Sequence, residues 1–294
     1  MWDFARMNFI RTFLSKRKLA KLVDTGRVWG WDDPRMPTIR GVRRRGMTIA
    51  ALRDFIIKQG PSRNVTTMDW TVFWASNKKE IDPIAPRHTA ILQKDAVRVT
   101  VTGADAPIEP YTIDKPKHPK NAAVGTKKVA FSNELILDQA DLALMKPDEE
   151  ITLMAWGNAF VKTIDDSKPI KTATVELNLA GDVKKTEKKV TWLATKGQEL
   201  IPAELWTFDD LITKDKLEED DNLEEFLTPV TETMDDAWCD GAVAELKQDD
   251  IIQLERRGYY RVDKGLGDWK DGEEGPKGKR IVLFLIPTGK TGSK

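Results

Sequence analysis

Cysteine and histidine are almost absent from this sequence. The only cysteine is Cys239 and the only histidines are His88 and His118, so a disulfide within the chain is excluded and too few ligands remain for a structural zinc site. The sequence has no run of about 18 apolar residues, and its first residues lack the basic, apolar and small-residue order of a signal peptide. These absences favour a protein of the reducing cytosol, with neither a metal site nor a membrane span.

What is present is an ordinary globular mixture. The chain has 294 residues, of which 40% are hydrophobic and 32% are charged, so it is long enough for two or three domains with sizeable cores. We find neither an internal repeat nor a low-complexity tract. The composition argues against a disordered chain and predicts folded domains.

A net charge of zero conceals a strong division of charge along the chain. Residues 1–70 hold 15 Lys and Arg against 6 Asp, a balance of +9, and the remaining residues hold 32 against 41, a balance of −9. Much of the basic excess lies in the stretch RTFLSKRKLAKL, which begins at Arg11. This asymmetry predicts contact with a polyanion, and the alternative is a basic face that is merely solvated.

Helical patterns characterise residues 1–92. The segment TIAALRDFIIKQG has apolar residues at helical spacing between Thr48, as the N-cap, and Gly60. The segment TTMDWTVFWASNKKEI repeats the pattern, with Trp70 and Trp74 on one side, until two prolines end it. We therefore predict a helical connector over this part of the chain.

Short alternating strands replace the helices from residue 93. Segments such as AVRVTVTG, TATVELNLAGD and RIVLFLIPTG are β-like and are separated by Gly, Pro, Asp and Lys turns. In GYYRV, Tyr259 and Tyr260 alternate across a strand, so one should be core and the other outward. Many short strands without intervening helices indicate barrels or sandwiches. We predict an α+β, mostly β chain, with the helical connector followed by two antiparallel β-barrels over residues 93–294.

The basic stretch contains a motif with a chemical meaning. In LSKRKL, Ser15 precedes Lys16 at a junction between a loop and a helix. A lysine at such a junction can reach phosphate oxygens with its ammonium group while backbone amides assist. The spacing alone is weak evidence, because basic residues near a helix start are common.

Longer motifs give the chain a family resemblance. LSKRKL followed by GWDDPRMPTIRGVRRRG resembles the class I glutamyl- and glutaminyl-tRNA synthetases, in which the first motif is a variant of the flexible KMSKS loop. NKKEIDPIAPR, KHPKN, VTWLA and IQLERRGYY extend the resemblance over essentially the whole chain. WDFARMN, WASNKKEIDPIAPR and KKVTWLA look like the eukaryotic cytosolic glutamyl branch rather than the glutaminyl one.

The resemblance implies a part in ATP chemistry for the start of the chain. Lys16 takes the position of the KMSKS lysine, which stabilises ATP phosphates during adenylate formation, and Ser15 precedes it. Before Ser15 there is no HIGH-type motif, which the family carries in a Rossmann-type catalytic domain. The resemblance thus implies a full-length glutamate–tRNA ligase that uses ATP with Mg²⁺, and a fragment that is inactive alone and holds no cofactor.

The resemblance also implies which residues read tRNA(Glu). Arg87 of the APR motif, together with Gln253 and Arg256 of the QxxR strand, matches the pocket for the middle anticodon base, a uridine. Rigid planar donors suit the edges and faces of unstacked bases. Because Gln253 and Arg256 are three residues apart, a regular strand would place them on opposite faces, so a bulge or a strand end is required there.

Other basic residues are expected to contact the RNA. Family segments near the anticodon correspond to KHPKN and DVKKTEKKVTW, and a solvated hairpin tip is the alternative for the second. Arginines of the connector are expected at the tRNA backbone, or in ion pairs with Asp32 or Asp33 that fix the connector. The residues concerned are Lys117, His118, Lys120, Lys184, Lys185 and Lys188 near the anticodon, and Arg43, Arg44 and Arg45 at the backbone.

Two alternatives to the glutamyl assignment stay open. One is the C-terminal half of a glutaminyl-tRNA synthetase, which would differ in the third anticodon base. The other is a non-enzymatic RNA-binding or assembly module that docks other synthetases. Other synthetases and assembly factors are the further partners considered for the full-length protein, whereas DNA and membranes are not expected partners. The expected location is the cytoplasm.

Overall fold

The computed structural model describes residues 3, 5–61, 63–270, 272–273, 275 and 277–289, so Trp2 and Phe4 of WDFARMN lie outside the described residues. The helices are α1 (Lys16–Asp24), α2 (Ile39–Arg44), α3 (Ile49–Lys58), α4 (Trp70–Ile81), α5 (Gln139–Leu142) and α6 (Leu223–Phe226). The strands are β1 (Met7–Phe9), β2 (Thr66–Met68), β3 (Arg87–His88), β4 (Ala90–Leu92), β5 (Val97–Thr102), β6 (Tyr111–Pro116), β7 (Thr126–Phe131), β8 (Glu134–Leu137), β9 (Glu150–Leu153), β10 (Gly157–Ile164), β11 (Thr172–Asn178), β12 (Lys189–Val190), β13 (Leu193–Ala194), β14 (Ile201–Phe208), β15 (Glu232–Cys239), β16 (Ile251–Leu254), β17 (Gly258–Lys264) and β18 (Ile281–Ile286). In this described part, no helix is long and apolar enough to span a membrane.

Polar N-caps begin the four helices of the connector. The side-chain oxygens of Ser15, Thr38, Thr48 and Asp69 each accept a backbone N–H from the first turn of the helix that follows, which satisfies one of the otherwise unpaired donors there. The N-cap predicted at Thr48 is confirmed, because its Oγ1 accepts the Ala51 N–H at 3.1 Å.

Two seven-stranded sheets, each curled into a half-barrel, form most of the remaining chain. The first barrel has the strand order β12-β9-β10-β11-β5-β8-β13, and the second has β3-β16-β17-β18-β14-β15-β4. Strand β5 buries every second residue, as its alternating sequence predicts. The predicted helical start and two β-barrels are confirmed. The pairing is mixed rather than wholly antiparallel, because β11 returns parallel to β5 and β18 returns parallel to β14.

One short segment joins the two edges of each barrel. Residues 189–194, the first closing segment, pair with both edges of the first barrel, since β12 lies beside β9 and β13 beside β8. Residues 87–92, the second closing segment, pair in the same way with β16 and β15 of the second barrel. Residues 87–92 precede the strands of the first barrel but close the second, whereas residues 189–194 lie between the two sets of strands and close the first. In this sense, relative to the order of the chain, the barrels exchange their closing segments. The predicted boundary between the connector and the barrels lies at residue 92. The second closing segment lies on the connector side of that boundary although it pairs with barrel strands, and the boundary stays a prediction.

The two barrels repeat one topology, which corrects the expectation of no internal repeat. Strands β5 and β8–β11 have the same neighbours and directions as β14–β18. Residues 148–161 (DEEITLMAWGNAFV) of the first barrel are equivalent to residues 249–262 (DDIIQLERRGYYRV) of the second. The turn in each segment holds one residue with a left-handed backbone conformation, Ala155 with φ 62° and Arg256 with φ 64°. Five of the fourteen positions are identical in these two segments, but over so short a span the repeat becomes recognisable only once the strand order is known.

The helical connector packs against the outside of the second barrel. Tyr259 and Tyr260 lie on opposite faces of β17, as predicted, yet both are buried. Tyr260 belongs to the barrel core, whereas Tyr259 packs among connector residues that include Phe73 and Trp74. The outward tyrosine is therefore covered, because α3 and α4 dock on that face.

Exchange of the closing segments predicts that the two barrels unfold as one cooperative unit. Leu153→Ala and Leu254→Ala alter equivalent, fully buried positions of the first and second barrels, and each should destabilise the protein by about 2–5 kcal/mol. Differential scanning calorimetry should give a single transition whose midpoint falls in both variants. Two resolved transitions, with each variant lowering only one of them, would show that the barrels are independent.

Candidate nucleic-acid interface

A cleft of about 230 Å³ lies where the two barrels meet. The second closing segment contributes Arg87 and Thr89 to its lining, and the first contributes residues 191–194. The equivalent hairpin turns of the two barrels contribute Ala155 and Glu255. The exchange of strands thus brings four segments of different origin to one cleft.

Arg87, which lines this cleft, lies side by side with Gln253. They are register partners in the parallel pair of β3 and β16. Within the described residues, neither Nε of Arg87 nor Oε1 of Gln253 has a hydrogen-bond partner, although both atoms are buried. An unpaired buried polar atom costs about 1–3 kcal/mol, so this donor and this acceptor mark a place where a polar ligand would be stabilised.

Arg256 lies at the tip of the turn between β16 and β17. Because β16 ends at Leu254, the two-face conflict expected from the spacing of Gln253 and Arg256 does not arise. Nη1 and Nη2 of Arg256 donate to the Asp141 carboxylate at 2.5 and 2.6 Å, and Nη1 lies 3.5 Å from Oγ1 of Thr191. Thr191 lines the same cleft as Arg87, so Arg256 lies next to the cleft, although neither Arg256 nor Gln253 is one of its lining residues.

The neighbouring Arg257 forms a second link between the barrels. Its Nη2 donates to both oxygens of Asp138 at 2.6 Å, and its Nε donates to the Ala90 carbonyl at 3.0 Å. Asp138 also accepts the Leu92 N–H at 3.0 Å. Sequence reasoning missed Asp138 and Asp141. The signal that could have found them is the combination of two aspartates at the start of one helix with two adjacent arginines in a turn elsewhere in the chain, because such groups can form two ion pairs side by side.

A buried charge network, also missed from the sequence, fixes the second closing segment. The Asp240 carboxylate accepts from Nζ of Lys127 at 2.9 Å and from the Thr89 N–H at 2.8 Å, and it lies 3.1 Å from Nδ1 of His88. Burial alone would raise the pKa of Asp240, but Lys127 and His88 outweigh burial and hold that pKa well below its ordinary value. The closing segment is therefore anchored by an ionised carboxylate.

The loop of the β6–β7 hairpin holds three of the predicted contact residues beside Arg87. The Lys117 carbonyl accepts the Arg87 N–H at 2.6 Å, and Lys120 is exposed. His118 is buried, with Nε2 at 3.0 Å from the Asp82 carbonyl and Nδ1 accepting the Lys120 N–H at 3.2 Å. Both ring nitrogens are thus used inside the protein, so His118 positions the loop rather than offering a nitrogen to a base.

Three more of the lysines predicted near the anticodon lie in the loop between β11 and β12. Lys184 and Lys185 are exposed, and the loop is held where the Asp182 carboxylate accepts the Lys184 N–H at 2.9 Å. Lys188 pairs with Glu149 at 2.5 Å, and this hydrogen bond lowers the pKa of the Glu149 carboxyl. The first two lysines are accessible to a polyanion, whereas the third is engaged within the first barrel.

Three adjacent arginines of the connector have three different environments. Arg44 pairs with Asp263 at 2.8 Å and with Asp32 at 3.1 Å. Arg45 donates to a backbone carbonyl of β14 at 2.5 Å, and burial lowers its pKa to about 10. Arg43 is exposed. Arg44 and Arg45 are therefore engaged by groups of the protein, and the Arg44–Asp32 pair is one of the ion pairs expected to fix the connector. Contact with the tRNA backbone stays a prediction for all three arginines.

Ser15 caps α1 and leaves Lys16 exposed at its first turn. Acidic residues from the loop between β14 and β15 neutralise part of the basic stretch, since Lys21 pairs with Glu224 at 3.0 Å and Arg11 pairs with Asp215 at 3.1 Å. The division of charge along the sequence is thus partly cancelled in space. Lys16 remains accessible.

Three family models match the chain. The catalytic domain of class I tRNA synthetases (E and Q) matches residues 1–83. Two models of the anticodon-binding domain of the same synthetases match residues 85–180 and 189–263. The second closing segment falls within the first anticodon-binding match, and β12 opens the second match.

The chain is also similar to complete proteins. It is 54% identical over 293 residues to the probable cytoplasmic glutamate–tRNA ligase of Schizosaccharomyces pombe, and 52% identical over 295 residues to the cytoplasmic glutamate–tRNA ligase of Saccharomyces cerevisiae. It is 40% identical over 296 residues to the bifunctional glutamate/proline–tRNA ligase of Drosophila melanogaster. These alignments cover 99%, 100% and 99% of the chain but only 39%, 39% and 17% of the relatives.

The charge network at Asp240 predicts a pH-dependent loss of stability. Asp240→Asn leaves the buried Lys127 ammonium without its counter-charge and should cost about 3–5 kcal/mol at pH 7. Because the pKa of Asp240 is lowered by folding, its stabilisation is complete above the ordinary carboxyl pKa of about 3.9 and is lost as the pH falls towards the lowered value. Urea unfolding at pH 7 and pH 3 should therefore show a smaller difference from the parent protein at pH 3.

The matched control is Asp235→Asn, which alters an exposed carboxylate on β15 and should change stability little at either pH. A difference for Asp240→Asn of equal size at both pH values would contradict the assignment of the network.

Proposed function

Because the chain belongs to the class I tRNA synthetases of the E and Q type, we propose that it is the tRNA-binding part of a glutamate–tRNA ligase. The whole protein would attach glutamate to tRNA(Glu) with ATP and Mg²⁺, and it would act in the cytoplasm. Support comes from the two anticodon-binding matches and from the names of the yeast relatives, of which the chain spans 39%.

The observation that carries the anticodon role is a buried pair of unpaired atoms, one of which belongs to Arg87 in the lining of the cleft. Nε–H of Arg87 is a donor and Oε1 of Gln253 is an acceptor, and they belong to register partners. The Watson–Crick edge of uridine presents a carbonyl oxygen beside N3–H, which is the complementary order. Cytidine also presents an acceptor beside a donor, N3 beside N4–H2, so this pair of atoms supports binding of a base edge but does not by itself select uridine. The family resemblance supplies the choice, and we assign the site to the middle anticodon base, a uridine.

The start of α1 is assigned to ATP. Ser15 caps the helix, so the exposed ammonium of Lys16 lies beside unpaired N–H groups of the first helical turn. This combination attracts phosphate oxygens. In the whole protein, Lys16 would stabilise the charge that develops on the phosphates as pyrophosphate leaves.

Two further possibilities are weighed against this function. The glutaminyl branch shares the middle uridine, so the cleft does not separate the branches, and the identity to named glutamate ligases favours glutamate. The Drosophila relative bears a name that joins glutamate and proline ligases, which supports a second proposal, association of the whole protein with another synthetase. A purely non-enzymatic module has no observation in its favour.

Replacing either cleft atom should weaken binding selectively. In the full-length protein, Arg87→Ala and Gln253→Ala should each cost about 1–3 kcal/mol in affinity for tRNA(Glu), the range of one specific base contact. The loss should shrink for transcripts whose middle anticodon base is not uridine, and filter binding at fixed salt would measure it. Lys120→Ala, an exposed neighbour, should weaken all transcripts alike. Equal losses for every transcript in Arg87→Ala would remove the cleft from base recognition.

Neutralising Lys16 should affect chemistry rather than folding. In the full-length protein, Lys16→Ala should slow glutamate-dependent ATP–pyrophosphate exchange by about 10²–10³-fold, the range for removing one transition-state donor. The affinity for tRNA and the melting temperature should hardly change. Arg17→Ala, the exposed neighbour, is the control and should keep most of the exchange rate. Unfolding of the Lys16→Ala protein would instead give Lys16 a structural role.

A further inference from the structure

The guanidinium of Arg256 has one occupied edge and one open edge. Asp141 binds the edge formed by Nη1 and Nη2, and Thr191 lies near Nη1. Throughout the described residues, no hydrogen-bond partner is found for Nε of Arg256, so the edge formed by Nε and Nη2 can still donate two parallel N–H groups. The side chain is 39% exposed, so a ligand can reach this edge.

Arg257 shows the contrasting arrangement at the next position. Its Nε donates to the Ala90 carbonyl and its Nη2 donates to Asp138, so the corresponding edge is used inside the protein. The side chain of Arg257 is also less exposed, at 20%. Of two adjacent ion pairs between the same two elements, only the one made by Arg256 leaves a planar donor edge open.

The fold itself does not require an arginine at position 256. The equivalent position in the turn of the first barrel is Ala155, which has nearly the same left-handed φ and also lines the cleft. A backbone conformation that favours glycine is therefore compatible with a small side chain at this point of the repeat. The long side chain and its buried partner call for a reason beyond the turn.

Asp141 is suited to hold that side chain still. Its carboxylate is only 10% exposed and belongs to α5 of the first barrel, so it does not move with the turn that carries Arg256. A bidentate contact at 2.5 and 2.6 Å fixes both the position and the plane of the guanidinium. The hydrogen bond to Asp141 also raises the pKa of Arg256, which keeps the group charged.

We propose that Asp141 is a positioning residue for anticodon readout, which holds Arg256 so that its Nε–Nη2 edge faces the middle base of the tRNA. The inference rests on the proposed function and deepens it. The ligand chemistry is a pair of acceptor atoms on one nucleotide, such as a base carbonyl together with a neighbouring oxygen. The first barrel thereby takes part in reading a base bound at the second.

The test compares two matched variants of the full-length protein, Asp141→Asn and Asp138→Asn. Each removes the charge from one of the two adjacent Arg–Asp pairs. Affinities are measured by filter binding for tRNA(Glu) and for transcripts with another middle base, and melting temperatures are measured beside them. Asp141→Asn should reduce the preference for uridine by at least about fivefold, the low end for one bidentate base contact. Asp138→Asn should lower the melting temperature about as much as Asp141→Asn does, but it should keep the preference for uridine.

Two additional variants separate the possible failures. Arg256→Lys keeps the charge but removes the planar edge, so it should lose the preference for uridine as Asp141→Asn does. The double variant, which combines Asp141→Asn with Arg256→Lys, should lose little more of that preference than either single variant. Equal loss of preference in Asp138→Asn would overturn the inference in favour of a structural role. Loss in Arg256→Lys but not in Asp141→Asn would overturn positioning and leave the proposed function standing. If no variant at Arg87, Gln253 or Arg256 alters the preference, the proposed function itself fails.

Discussion

The exchange of closing segments between the barrels is the constraint on which the rest of the structure depends. A curled sheet has two edges with unpaired N–H and C=O groups, and here one six-residue segment satisfies both edges of each barrel. The same segments line the cleft, so the pairing that closes the barrels also puts Arg87 beside Gln253. The backbone hydrogen bonds that close the second barrel therefore also position the two residues proposed to recognise a base.

Charged groups as well as an apolar cluster lie where the barrels meet. A small apolar cluster of Ile91, Ile136 and Leu193 lies between them, and around it stand the pairs of Arg256 with Asp141 and Arg257 with Asp138. Buried ion pairs add little net stability, because desolvation offsets their attraction, but they are strongly directional. This suits a site whose planar donors must be held at one angle.

Local features were predictable from the sequence, and features that join distant segments were not. The cap at Thr48 and the alternation of β5 depend on neighbours a few residues away. Strand β15 was missed because its acidic residues obscure the strand pattern, and one of them, Asp236, finds its partners far along the chain. Arg87, Gln253 and Arg256 came from resemblance. The partners of Asp141 and His118 follow only from the way the chain folds back on itself.

The exchange has a consequence for how the chain is made. Residues 87–92 leave the ribosome well before β15 and β16 exist, and β18 ends only at Ile286. At synthesis rates of about 5–20 residues per second, the apolar Ala90 and Ile91 wait roughly 10–40 s for their partners. Until then the segment has unpaired N–H and C=O groups that another strand can bind. The order of translation thus leaves the segment that carries Arg87 without its strand partners until synthesis of the chain is almost complete.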